Sequence, residues 1–129
     1  AVQSLDYNSM DNFLADDYMG YGPSVNDSIG KADAVKAWRQ NVDNLYESIE
    51  YKRSRSIAVS VPDGDAKGEW VSNWASLDIT YKGSGEKITI MTNSIYLLEN
   101  GKIKRSYTFY NEADALEQLG YYFINPDKL

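Results

Sequence analysis

Apolar positions recur along this chain at two different periods, and the switch between them divides it. Tyr7, Met10, Phe13 and Leu14 fall three and four residues apart and predict a short helix over 6–15. Residues 16–23 read as a short strand ending in a turn at Gly22-Pro23, with a polar loop over 24–28. Val35, Trp38, Val42, Leu45 and Tyr46 restore the helical spacing and predict a second helix over 30–47 with one apolar stripe. From Ile49 to Val61 the alternation has a period of two, the mark of a strand. Pro62-Asp63-Gly64-Asp65 turns the chain into a strand over 69–81. Gly83-Ser84-Gly85 turns it into a strand over 87–98, and Asn100-Gly101 into one over 102–111. A helix over 112–119 follows, with Gly120 as its C-cap. This order predicts an α+β fold in which helices cover one face of an antiparallel meander.

The Asn100-Gly101 step matters most, because Asn-Gly between alternating runs is the strongest short hairpin signal. As a two-residue turn it sets Leu98 opposite Ile103, Tyr96 opposite Arg105, and Asn93 opposite Thr108. A turn at Ser84-Gly85 then sets Trp74 opposite Ile95. On this register Trp70, Trp74, Ser76, Asp78, Met91, Asn93, Ile95, Leu97, Ser106, Thr108 and Tyr110 share the face expected to be concave. Leu77, Ile79, Tyr81, Ile88, Ile90, Tyr96, Tyr107 and Phe109 share the other. A slip of one residue exchanges the two faces. Both faces are apolar and two short helices cover only one. The second, with Tyr96, Tyr107 and Phe109, is expected to meet a second copy of the chain in a homodimer.

Composition narrows the chemistry. The 129 residues suit one domain with a real core. Eleven tyrosines and three tryptophans point to an aromatic cavity or interface, or to half-buried strands. The net charge of −6 argues against nucleic acid, and the lone basic cluster Lys52-Arg53-Ser54-Arg55 alternates along a strand. With no His and no Cys, imidazole bases, thiol nucleophiles, disulfides and the usual zinc ligands are excluded. No metal and no cofactor site is expected, since neither a ligand cluster nor a phosphate-cradling glycine loop occurs. No run is apolar enough to cross a membrane as a helix. The chain starts at Ala1 without Met, so an upstream segment is expected to have been removed. A cytoplasmic and an exported location both fit.

Phe13-Leu14-Ala15-Asp16-Asp17-Tyr18, then Gly30-Lys31-Ala32-Asp33-Ala34-Val35-Lys36-Ala37-Trp38, then Glu99-Asn100-Gly101-Lys102-Ile103 and the closing Leu119-Gly120 carry a resemblance. In this order and spacing they resemble the nuclear transport factor 2-like superfamily, and within it the SnoaL-like branch. The resemblance spans nearly the whole chain and implies a single domain over 1–129. It implies a cystatin-like cone, a curved antiparallel sheet closed by N-terminal helices, often dimeric through the outer sheet face. The family's first long helix would precede Leu5, where only Ala1 to Ser4 stand, so that helix is expected to be truncated.

The superfamily includes ketosteroid isomerase, a standard case of tuned carboxyl groups, and polyketide cyclases. The isomerase base lies just before the proline ending the first strand, which is Gly22 here. Its protonated oxyanion-hole acid falls at about Asn93, whose amide can donate a hydrogen bond instead. The His and Asp of cyclase-like members fall at about Ser106 and Thr108, neither a base near neutral pH. Trp38 keeps the aromatic wall on the second helix. Asp78 is the one carboxylate on the face expected to be concave, either a general base beside Asn93 and Ser76 or a solvated rim group. The expected pocket wall is Trp38, Trp70, Trp74, Met91, Asn93, Ile95, Ser106, Thr108 and Tyr110. Three functions follow as expectations. The first is a non-catalytic pocket for a small, flat, largely apolar molecule. The second is an isomerase, cyclase or dehydratase using Asp78 and Asn93. The third is a structural dimerisation domain with a filled cone.

Overall fold

The computed structural model describes residues 1–129. Helix α1 (Tyr7–Phe13) leads into strands β1 (Leu14–Tyr21) and β2 (Ser28–Gly30), then helix α2 (Lys31–Asn44). Strands β3 (Tyr46–Val61), β4 (Gly68–Tyr81), β5 (Lys87–Glu99) and β6 (Lys102–Tyr110) form the meander, and α3 (Glu112–Gln118) follows. The Asp6 carboxylate caps α1 by accepting from the amides of Asn8 and Ser9, and Asn111 caps α3 by accepting from that of Asp114.

One six-stranded sheet runs in the order β2-β1-β6-β5-β4-β3. It is mixed rather than wholly antiparallel, because β1 lies parallel to β6. The whole helix α2 and the meander separate those two strands in sequence, so no local turn announces their pairing.

Helices α2 and α3 lie over the concave side. Ile49, Leu77, Ile79, Ile88, Ile90 and Ala115 are the buried cluster there, with Trp38, Tyr46, Tyr51, Tyr81, Tyr110 and Leu119 packed against it. Burial of each large aliphatic side chain contributes about 1.5–3 kcal/mol. Beyond the last β5–β6 pair, Thr92 with Tyr110, the edge of β5 is open. Gln118 closes it from α3: its Oε1 accepts from the Thr89 amide at 3.0 Å, and its Nε2 donates to the Thr89 carbonyl at 2.9 Å.

The register departs from the expectation at three points. The Asn100-Gly101 turn does set Leu98 opposite Ile103, but Leu97 then pairs with Arg105, so Lys104 is an extra residue in β6. This one-residue bulge puts Ser106, Thr108 and Tyr110 opposite Tyr96, Ser94 and Thr92. On β3, Lys52 pairs with Ser76 and Arg55 with Trp74, a second bulge at Arg53-Ser54, where Arg53 has φ of 52°. Ile49 and Tyr51 therefore face inward while Ile57 and Val59, past the bulge, face outward, 53% and 50% exposed. The β4–β5 loop is longer than a two-residue turn and sets Trp74 opposite Asn93 instead of Ile95. That shift of two leaves the faces of β4 and β5 unchanged.

Candidate functional site

The concave side holds two adjoining open cavities, of about 460 and 360 Å³. Val2, Trp38, Tyr96 and Thr108 line both and form the partition between them. Leu77, Ile79, Ile88 and Ile90 supply the aliphatic floor of the larger cavity, and Ala115, Leu116 and Leu119 close it from the α3 side. Its aromatic wall is Trp38, Tyr46, Tyr51, Tyr81, Tyr96 and Tyr110. The ring centroids of Trp38 and Tyr46 are 5.9 Å apart, and those of Tyr46 and Tyr81 are 5.8 Å apart, tilted by 41° and 51°. Met10, Phe13, Leu14, Ile29 and Ala37 line the smaller cavity.

The polar atoms of this interior are mostly hydroxyls. Tyr18 and Ser106, both buried, share a hydrogen bond of 2.6 Å at the smaller cavity. Gly20 makes room for it, since a Cβ there would lie 2.4 Å from the Tyr18 hydroxyl. The Trp38 Nε1 is buried without a hydrogen-bond partner. Burial pushes the Tyr46 phenol up to about 12, with the nearby Tyr81 and Tyr110 phenols adding to the effect. Burial likewise pushes Tyr51 up to about 12, and it raises Tyr18, Tyr81 and Tyr110. At neutral pH these are uncharged donors and acceptors. Tyr96 adds a phenol to both walls, Ala1 with its α-amino group lines the smaller cavity, and the one carboxyl in either wall is Glu112, exposed at the start of α3.

Several residues expected in the wall lie elsewhere. Trp70, Trp74, Met91, Asn93 and Ile95 are on the convex face, opposite the helix-covered Leu77, Ile79, Ile88 and Ile90, and the Lys104 bulge parts Ser106 and Thr108 from them. Met91 is 81% exposed and Trp74 is 41% exposed. Trp70 donates its Nε1 to the Ala66 carbonyl and packs on Tyr107, which stacks on Tyr21. The Asn93 amide donates to the Ser72 hydroxyl at 3.0 Å and to the Asn73 carbonyl at 3.1 Å. Asp78 also lies outside. Its Oδ1 accepts from the Thr89 hydroxyl at 2.7 Å and its Oδ2 meets Lys87 Nζ at 3.3 Å. The Thr89 hydrogen bond, aided by Lys87, holds its carboxyl below the ordinary carboxylate range. Asp78 and Asn93 therefore cannot act together on anything held in the cone.

Trp38, Thr108 and Tyr110 do line the larger cavity, and Ser106 lines the smaller. Tyr96, expected outside, lines both, while Tyr107 and Phe109 stay outside. Tyr46, Tyr51 and Tyr81 were not expected in the wall. A signal for the inner face was present: Leu77, Ile79, Ile88 and Ile90 alternate with Asp78, Lys87 and Thr89, and only the first set suits burial.

The isomerase-like base position is closed. Gly22 has φ of 89°, and a Cβ there would lie 2.3 Å from the Thr108 carbonyl oxygen. No group of three or more His, Cys, Asp or Glu residues could hold a metal ion. No helix is long and apolar enough to cross a membrane.

A curved sheet with helices over an apolar hollow defines a cone-shaped pocket domain. Solved structures place that class more narrowly. A candidate polyketide cyclase from Xanthomonas campestris pv. campestris superposes with a TM-score of 0.73 at 16% identity, over 92% of this chain and 88% of the other. An LEH-like epoxide hydrolase of M. tuberculosis gives 0.64 at 15% identity, over 92% and 80%. A Catenulispora acidiphila protein with a ketosteroid isomerase-like fold, in complex with trimethylamine, gives 0.67 at 13% identity, over 90% and 83%. The chain has the nuclear transport factor 2-like cone fold that these proteins share. No protein-family model matches the sequence, and no curated protein does.

Proposed function

We propose that this protein holds a small, flat, largely apolar molecule inside the cone and performs no reaction on it. The observation that carries this reading is the wall of the larger cavity, where phenols and the rim carboxylate of Glu112 are the only ionisable groups. General acid–base work needs a proton acceptor aimed at the bound molecule, and the wall of the larger cavity offers one carboxylate, Glu112, at its rim. The size suits a ligand, since small-molecule pockets run to roughly 300–1,000 Å³. A hollow of about 460 Å³ also weighs against a filled cone serving only dimerisation. The fold hosts many activities, so the names of the structural neighbours do not carry a reaction across.

The test is a titration with 2-naphthalenemethanol, read by quenching of tryptophan fluorescence, beside the Ser94→Phe variant whose ring fills the cavity. Saturable binding that Ser94→Phe abolishes is the expected result. No binding, or equal binding by Ser94→Phe, overturns the reading. Native mass spectrometry of the purified protein checks for a retained small molecule, and release of a chemically altered probe refutes the non-catalytic part.

A second copy of the chain is the partner we propose for the convex face. Ile57, Val59, Trp74, Met91 and Phe109 leave an apolar band exposed across β3 to β6. Bands of this kind mark interfaces, and a two-fold pairing brings the same patch of both copies together. Tyr107 and Phe109 lie on this face, as expected of the dimer contact, and Tyr96 does not.

A further inference from the structure

The cavity's charge says more about its occupant than its apolarity does. The larger cavity has no Lys or Arg in its wall, and Glu112, at its rim, is the only formal charge there. The chain as a whole carries −6. Around that rim the aromatic rings are crowded. Tyr46 packs between Trp38 and Tyr81, and Tyr110 directly precedes the Asn111-Glu112 start of α3. Asp27, in the loop between β1 and β2, and Glu112 both act with burial to hold the Tyr110 phenol neutral, so both carboxylates bring negative potential to this end of the cavity. Ring faces present negative charge to a cation, and nearby carboxylates add to the attraction. In the larger cavity a carboxylate or phosphate ligand would find no cation to receive it, and its desolvation would go uncompensated.

From this juxtaposition of aromatic wall, acidic rim and absent basic groups, we propose that the ligand is a hydrophobic amine. Its hydrocarbon body lies on the floor of Leu77, Ile79, Ile88 and Ile90. Its ammonium group sits at the mouth against Tyr46, Tyr81 and Tyr110, next to Glu112. This inference rests on the pocket reading above and adds the charge of the occupant to it. An ammonium placed at the mouth keeps part of its hydration, which a deeper position would strip away.

Three probes with one ring system isolate the charge: 2-naphthylmethylamine, 2-naphthalenemethanol and 2-naphthoate, titrated calorimetrically at pH 7 and low salt. The amine is expected to bind roughly tenfold tighter than the alcohol, in line with a cation over aromatic faces. The acid is expected to bind weakest. In Glu112→Gln the affinity of the amine is expected to fall several-fold more than that of the alcohol. Glu112 is exposed, so this variant leaves the core intact. An alcohol or acid that binds as tightly as the amine overturns the inference and leaves the pocket reading standing. An unchanged advantage in Glu112→Gln overturns the placement of the ammonium at the mouth. Failure of all three probes to bind overturns the pocket reading and this inference together.

Discussion

Placing an acid at Gly22, the position of the isomerase base by resemblance, tests whether the backbone geometry there excludes a side chain. The backbone there lies in the left-handed region, at φ of 89°, which costs a side-chain-bearing residue about 1–2 kcal/mol. A Cβ would also stand 2.3 Å from the Thr108 carbonyl oxygen, a backbone atom that β6 holds in place. Overpacking of this kind costs roughly 1–3 kcal/mol. The Gly22 amide donates to the Asp27 carbonyl at 3.2 Å, so the tight loop that follows has little freedom to move aside. Together the two effects predict a loss of about 2–5 kcal/mol for Gly22→Asp. For a chain of this size that lowers Tm by roughly 8–20 °C. Gly22→Ala separates the causes, because it has the Cβ without the carboxylate and is expected to lose most of the same amount. Thermal unfolding followed by circular dichroism reads both variants. Gly22→Ala within about 1 kcal/mol of the parent would refute the steric argument. So would a stably folded Gly22→Asp that enolises a ketone.

Four further outcomes are expected. Stability falls as pH rises from about 10 towards 12, because unfolded phenols ionise near 10 while Tyr46 and Tyr51 stay protonated in the fold to about 12; urea melts at pH 8 and pH 11, with absorbance titration of the tyrosinates, check the sign and the two late groups. Asp78→Asn leaves binding of the naphthalene probes unchanged, since its carboxylate faces Thr89 and Lys87 on the convex side; a large loss of affinity would mean that Asp78 reaches the cavity. Ile88→Ala, at a side chain only 2% exposed, costs about 2–5 kcal/mol in a denaturant melt. Met91→Glu combined with Phe109→Glu turns a dimer into a monomer by light scattering with little change in Tm, because both residues are exposed in the single chain; a parent chain that is monomeric at all concentrations refutes the proposed interface.

The elements themselves were legible along the chain, and so were their limits. Period-two and helical spacings act between neighbouring residues, and Asn100-Gly101 carries its turn conformation locally, with φ of 53° and 75°. The first pair beyond that turn, Leu98 with Ile103, follows from those two residues alone. The absence of His and Cys, which rules out imidazole and thiol chemistry, is likewise a property of the sequence. The pocket wall is not. A single additional residue at Lys104 reverses which side of β5 shares a face with Ser106 and Thr108, and another at Arg53-Ser54 turns Ile57 and Val59 outward. A bulge of one residue has no composition of its own. It forms because the curving sheet must keep Leu77, Ile79, Ile88 and Ile90 under the helices while β6 turns Ser106 towards Tyr18. The parallel contact of β1 with β6 joins segments separated by most of the chain. Closing the cone through such distant contacts decided which aromatic rings line it, and tertiary packing alone could make that choice.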